Sequence, residues 1–245
     1  MRDYAAETAK RVEFIREKIK EAGAAGIIFG NSGGKDCALV GILCKMACEN
    51  TVSVIMPCES SVNFGSDKAD GDLLAQQFGI ETRVVDLTPH KLLFCDTLAQ
   101  HVELNRQSVT NIPPRLRMIT LYGMAAAENR IVAGTGNRDE IYMGYFTKWG
   151  DGAYDFDPIS DLTVGEVYEF LRYLGAPESI ITKAPSAGLF EGQTDEAEMG
   201  VSYKAIDNYL LGGEVDERSR EIIERYHRSS AHKRRMPAKY KEIEE

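Results

Sequence analysis

Apolar positions Val12, Ile15 and Ile19 recur among charges in the first 22 residues, the spacing of an amphipathic helix with one face on a core. The pattern then changes. AAGIIFG is a short unbroken apolar run, as a buried strand requires. NSGGKD interrupts it, and CALVGILCKMACEN resumes as an apolar helix ending near Asn50. TVSVIMP predicts a second strand from its β-branched content and proline stop. KADGDLLAQQFGI predicts a helix closed at Gly79, and ETRVVDL a third strand. Residues 91–128 read as helix with one break, placed at Pro113 and Pro114, after which LRMITLYGMAAAE continues. RIVAGTG is a fourth strand ending in a glycine turn. A polar stretch, NRDEIYMGYFTKWGDGAYDFDPISD, separates it from a helix over 163–174, closed by Gly175 and Pro177. KAPSAGLFEGQTDEAEMG reads as an acidic loop, and the remainder as helix with a basic cluster, HKRR, over 232–235.

Strands alternating with helices predict βαβ units: an α/β fold with a doubly wound, mainly parallel sheet and helices on both faces. No repeat or low-complexity linker divides the chain, so one domain over 1–245 is expected. Ligands of such sheets bind beyond the carboxyl ends of the strands, where strand order reverses. The chemistry is therefore expected around residues 30–36, Pro57, Asp86 and Thr135.

Composition narrows the partners. The chain carries 29 Lys plus Arg against 38 Asp plus Glu, a net charge of -9. That balance argues against a general nucleic-acid binder, which needs a basic footprint, but leaves room for one basic pocket for a phosphorylated small molecule. No stretch approaches the roughly 18 apolar residues of a membrane span. The amino terminus is charged and helical rather than a signal peptide. The odd count of five cysteines (Cys37, Cys44, Cys48, Cys58 and Cys95) reads as reduced thiols in a cytoplasmic protein rather than a disulfide framework. Cys44 and Cys48 share a helix face, but no second Cys or His pair completes a zinc site, so both read as core.

The strongest chemical signal is FGNSGGKD between a strand and a helix. Gly33 and Gly34 let the backbone turn and approach a ligand. The unpaired amides and positive dipole of the helix start favour phosphate. The spacing is neither that of a Walker loop nor that of the dinucleotide fingerprint G-x-G-x-x-G. Asp36, in the first helical turn, is placed to hold Mg²⁺ against phosphate oxygens.

Those residues resemble the SGGxDS pyrophosphate loop of the N-type ATP pyrophosphatases, which activate a carboxylate or carbonyl as an adenylate. Four further segments resemble one branch of that class, in order along the chain. These are NIPPRLRM, GTGNRDEIYMGYFTKWGDGAYDFDPISDL, KAPSAGLFEGQTDEAEMGVSYKAIDNYL and HKRRMP. The branch is the ammonia-dependent NAD synthetases. The resemblance implies an adenine nucleotide alpha hydrolase-like fold and a ligase that turns deamido-NAD, ATP and ammonia into NAD, AMP and pyrophosphate. It implies an ATP site at Gly30, Asn31, Ser32, Gly33, Gly34, Lys35, Asp36 and Cys37, with Thr135 and Ser186. Asp36 and Glu140 become the implied Mg²⁺ ligands, and Asp36 and Asp151 the catalytic carboxylates, Asp151 by attracting ammonium or taking its proton. Arg115, Lys148, Asp155, His232 and Lys233 match positions that hold deamido-NAD. A homodimer is implied, joined through LRMITLYGMAAAE with dinucleotide sites between subunits.

Glutamine-dependent members carry an extra glutaminase domain. A chain of 245 residues leaves no room for one, so ammonia is expected free or delivered by a partner. Two positions depart from the family pattern. Cys37 replaces a serine, and Val164 stands where the family has an ATP-binding lysine, for which Lys183 or Arg172 is a candidate substitute. The residues alone leave open a sulfur-inserting ATP pyrophosphatase using Cys37 or Cys95, and a weakened nucleotide-binding homologue.

Overall fold

The computed structural model describes residues 2–59, 65–183 and 194–240, without the side chains of residues 66 and 67. The chain runs α1 (Tyr4–Ala22), β1 (Gly26–Gly30), α2 (Lys35–Ala47), β2 (Thr51–Ile55), α3 (Ser66–Phe78), β3 (Glu81–Val84) and α4 (Thr88–Ala99). It continues through α5 (Arg106–Thr110), α6 (Ile112–Glu128), β4 (Arg130–Ala133), α7 (Arg138–Met143), α8 (Val164–Leu174) and α9 (Glu178–Thr182). α10 (Asp195–Met199), α11 (Tyr203–Leu210) and α12 (Glu217–Ser229) follow, then a 3₁₀ turn, Ala231–Lys233.

The strands of the described residues form one parallel sheet in the order β3-β2-β1-β4. Ile27 pairs with Thr51 on one side and Ile131 on the other. Alternation then sorts the side chains by face. Ile27 and Phe29, with Ile131 and Ala133, meet Leu39, Ile42 and Leu43 of α2, Phe170 and Leu171 of α8, and Ile15 of α1. Ile28, Val52, Val54 and Val132 point the other way, onto Ala125, Leu121 and Tyr122 of α6. This two-faced burial explains why the strands read as unbroken apolar runs. Each fully buried Ile or Phe contributes roughly 1.5–3 kcal/mol. Gly41 permits the close approach of α2, because a Cβ there would lie 2.6 Å from the Phe29 ring.

Three local expectations change. Pro113 and Pro114 do not break a helix; they open α6, where a missing N–H costs nothing. The break lies earlier, between Ala99 and Arg106, where Asn105 accepts from the Ser108 amide as a new N-cap. The acidic stretch after Lys183 contains a helix, α10, capped by the Thr194 hydroxyl. Cys48 is only half-buried, whereas Cys44 is fully buried.

A second apolar cluster, Met143, Val164, Met199, Tyr203, Ile206 and Ile223, joins α7, α8, α10, α11 and α12. Two carboxyl groups are sealed at its edge. Asp139 Oδ2 accepts from the Val164 amide at 3.2 Å and Asp207 Oδ2 from the Gly165 amide at 2.8 Å, so both cap the start of α8. Each leaves a buried Oδ1 without a donor. Burial first, then the Asp207 carboxyl, pushes Asp139 well above the ordinary value, so the pair holds a proton.

A raised folded pKa means that the native state binds more protons than the unfolded chain above pH 3.8. Stability from Asp139 is therefore full below that value and declines as pH rises. Asp139→Asn keeps a neutral acceptor for Val164. It should flatten the fall in unfolding free energy between pH 5 and pH 8, measured by urea denaturation. Asp139→Ala should cost about 2–3 kcal/mol at pH 5.

Candidate active site

β1 and β4 are neighbours in space but the chain leaves them in opposite directions along the sheet, so their carboxyl ends open a crevice. A cavity of about 940 Å³ fills it. The loop after β1 forms its floor. Gly33 takes φ 72°, the left-handed region that glycine enters without strain. Asn31 Oδ1 accepts from the Gly33 amide at 3.0 Å and Ser32 Oγ from the Gly34 amide at 3.3 Å, so side chains fold the loop before any ligand arrives. Gly34 gives α2 an N-cap with no side-chain acceptor. The first amides of a 13-residue helix are thus left for an anion.

Asp36 and Glu140 both line the cavity. Asn137, fully buried, joins them. Its Oδ1 accepts from the Glu140 amide at 3.0 Å, Glu140 Oε2 accepts from the Asn137 amide at 3.2 Å, and its Nδ2 donates to Asp36 Oδ1 at 3.1 Å. The first two bonds are a reciprocal capping box, legible in the sequence as N-x-x-E. The third is tertiary. Lys35 Nζ donates to the other Asp36 oxygen at 2.7 Å. Burial, then repulsion from Asp36, raises Glu140 above the usual carboxylate range, against the pull of Lys35.

Gly30, Asn31, Ser32, Gly34, Lys35, Asp36, Cys37, Thr135, Glu140, Asp151 and Lys233 all line this one cavity. Asp151 Oδ1 accepts from the Thr147 amide at 2.9 Å. It is open to the cavity, whose protein walls raise its pKa. Lys233 is tied by Nζ to the carbonyls of Gly144 and Phe146, at 2.8 and 2.6 Å. Arg115, Lys148 and His232 form a chain outside the cavity lining. Arg115 donates to the Lys148 carbonyl at 3.3 Å, and Lys148 to the His232 carbonyl at 2.7 Å. Asp155 sits apart, accepting from the Val132 amide at 2.7 Å and the Tyr122 hydroxyl at 3.1 Å. Ser186 lies outside the described residues.

Val164 is core, packed in the second apolar cluster, and is absent from the cavity wall. Arg172 is exposed on α8 and does not reach the cavity, whereas Lys183 lines it, with Nζ 2.7 Å from Asp70. Sequence reasoning missed Asn137, Arg117 and the far wall of Tyr145, Asp195 and Glu198. There Tyr203 donates to Asp195 at 3.0 Å and Tyr145 to Glu198 at 2.8 Å. Nothing local marks Asp195, Glu198 and Tyr203, since α10 and α11 reach the site through the second apolar cluster.

The sequence model of the NAD synthase family matches residues 7–241. The NH3-dependent NAD+ synthetase of Carboxydothermus hydrogenoformans is 50% identical over 233 residues, covering 94% of this chain and 95% of that one. The structure of NMN synthetase from Francisella tularensis superposes with a TM-score of 0.92 at 36% identity, over 98% of this chain and 99% of that one. An NH3-dependent NAD synthetase from Campylobacter jejuni superposes at 0.80 with 29% identity, over 98% and 100%.

Cys37 Sγ lies 3.2 Å from Ser32 Oγ, and burial pushes its thiol up despite that contact. A neutral buried thiol is a poor nucleophile. Cys37→Ser should therefore leave nucleotide affinity, measured by calorimetry, within about threefold of wild type or improve it, since a hydroxyl is the better donor. Loss of binding in a folded variant would show that the thiol itself is needed.

Proposed function

The chain belongs to the NAD synthase family, and we propose that the cavity between β1 and β4 is where a single synthetase domain carries out the family's ligation. The reaction is the amidation of deamido-NAD by ammonia, with ATP cleaved to AMP and pyrophosphate. The observation that carries the site reading is the convergence of the phosphate-type loop, Asp36, Glu140, Thr135 and Asp151 on one cavity. The nicotinate carboxylate attacks the α-phosphorus to give an acyl adenylate, and ammonia displaces AMP. The loop amides and the free start of α2 take the β- and γ-phosphates, while Lys183 and Lys233 supply positive charge on the cavity wall. Asp151 faces the same space and holds an incoming ammonium or accepts its proton. Arg115, Lys148 and His232 take the polar groups of the dinucleotide at the rim, and Asp155 a ribose hydroxyl further out. Positioning and charge neutralisation then supply most of the acceleration.

Asp36 and Glu140 suit Mg²⁺. No group of three or more acidic, His or Cys side chains among the described residues is set to cage an ion. Two carboxylates with substrate phosphates completing the shell is the usual magnesium arrangement. Bound there, Mg²⁺ would neutralise phosphate charge as pyrophosphate leaves.

One observation favours a second substrate. The Francisella tularensis NMN synthetase superposes more closely than the Campylobacter jejuni enzyme. The same chemistry on the mononucleotide half alone needs the cavity but not the outer rim.

A dimer is supported by an uncovered apolar face. Only Ile112, Pro113 and Ala125 of α6 are buried, and α4 buries none of its residues. Leu93 and Ile119 are 69% and 61% exposed. An apolar face of that kind marks an interaction surface. A cytoplasmic setting fits the five free thiols. No described helix is long and apolar enough to cross a membrane.

Purified protein with ATP, Mg²⁺, ammonium and deamido-NAD should form NAD, AMP and pyrophosphate in equal amounts by mass spectrometry. ADP and phosphate instead would defeat the reading, and faster turnover of nicotinate mononucleotide would select the second substrate. Ile119→Glu should shift the protein from dimer to monomer in analytical ultracentrifugation. A variant still dimeric would place the interface elsewhere.

A further inference from the structure

Lys35 is the side chain of the loop whose place the ligation does not by itself explain. Its neighbours Gly34 and Asp36 are partly open to the cavity, yet Lys35 is 7% exposed. A buried lysine is rare unless paired. The pairing here is with the acidic centre of the site. Nζ is bonded to Asp36 Oδ2 at 2.7 Å, and both Asp36 and Glu140 attract it electrostatically. The rings of Tyr203 and Tyr168 lie 5.6 and 6.0 Å from the ammonium, a distance at which aromatic faces hold a cation. Tyr203 is fixed in turn by its bond to Asp195 at 3.0 Å. The ammonium is thus bonded to one carboxylate, drawn by a second and flanked by two aromatic rings.

Resting on the metal reading above, we propose that Lys35 is the resident counter-ion of the Asp36–Glu140 pair and that a divalent cation displaces it. The physical reason is charge. Two carboxylates joined through one asparagine in a partly buried site are stabilised by a cation beside them. One ammonium balances one of them, and a divalent ion balances both. Lys35 therefore keeps the site assembled without metal and opposes metal that arrives alone. Metal arriving with nucleotide offers the displaced ammonium phosphate oxygens in exchange, so Lys35 couples metal uptake to nucleotide uptake. The coupling is a property of the lysine's reach and charge, and arginine, with a bulkier but permanent charge, retains part of it.

The test is Mn²⁺ binding, read from loss of the free-ion electron paramagnetic resonance signal, with and without ATP. Without nucleotide, Lys35→Met should bind Mn²⁺ about tenfold or more tightly than wild type. Lys35→Arg should stay near wild type. In EDTA, Lys35→Met should melt below wild type and recover more on metal addition, because it has lost its counter-ion. A purely structural lysine would lower the melting temperature without raising metal affinity. In case Lys35→Met does not fold, wild type gives a second measurement. Acylation of Lys35 by a succinimidyl ester, followed by peptide mass spectrometry, should be slow without metal and faster with saturating Mn²⁺. Equal or weaker Mn²⁺ binding by Lys35→Met, or acylation unchanged by metal, would overturn the proposal. Asp36→Asn separates the layers. If wild type binds Mn²⁺ with ATP and Asp36→Asn does not, the metal reading stands whatever Lys35 does; if wild type binds none even with ATP, both fall.

Discussion

The parallel pairing of β1 with β4 is the interaction on which the rest depends. It aligns Gly26 with Arg130 and Phe29 with Ala133, across about a hundred residues of chain. Nothing local links the loop after Gly30 to the turn after Ala133. Once the strands pair, both carboxyl ends open on the same side. Asp36, Thr135 and Glu140 then line one cavity. The pairing is held by burial on both faces, Ile27 and Phe29 on one and Ile28 on the other, so a slip of one residue would turn each side chain to the wrong layer.

Within that frame the site is organised by buried charge. Asn137 holds Glu140 with its backbone amide and its side-chain oxygen, and Asp36 with its side-chain nitrogen, which fixes two carboxylates that belong to different βα units. Lys35 compensates one of them. The same physics recurs at Asp139 and Asp207, which are partnered with backbone amides on one oxygen and left facing the interior on the other. Charges held this way need little rearrangement when a highly charged ligand arrives, which is the preorganisation that phosphate chemistry exploits. They also draw stability from the apolar clusters, since an uncompensated buried carboxylate costs several kcal/mol.

The residues proposed for the outer part of the site follow a different rule. Arg115, Lys148 and His232 are linked through main-chain carbonyls, an arrangement that sets the Arg115 and Lys148 side chains by the neighbouring backbone. α6, which carries Arg115, packs one side on the sheet and leaves the other exposed, as α4 does. A second chain seated on those faces would extend the rim, whereas the phosphate loop and the acidic centre are complete within one chain.

Much of this was legible in the residues. Unbroken apolar runs and turn glycines determined four parallel strands with helices on both sides, because a strand covered on both faces has no polar positions to spare. The loop Gly30 to Cys37, with Asp36 in the first helical turn, was equally local, since its glycines and cap geometry act within a few residues. Asn137 was half legible: its capping box is a sequence pattern, its bond to Asp36 is not. The sequence placed Pro113 as a break, where the structure uses it as a helix start, because a proline in the first turn and one in a gap differ only in what precedes them. Val164 could be seen as a departure, yet only packing showed that the position faces a core and that Lys183 reaches the cavity while Arg172 does not. The burial of Lys35 between two acids and two tyrosines was decided by tertiary structure alone. Its partners come from α2, α7, α8 and α11, and no spacing along one chain records which helices will meet around a charge.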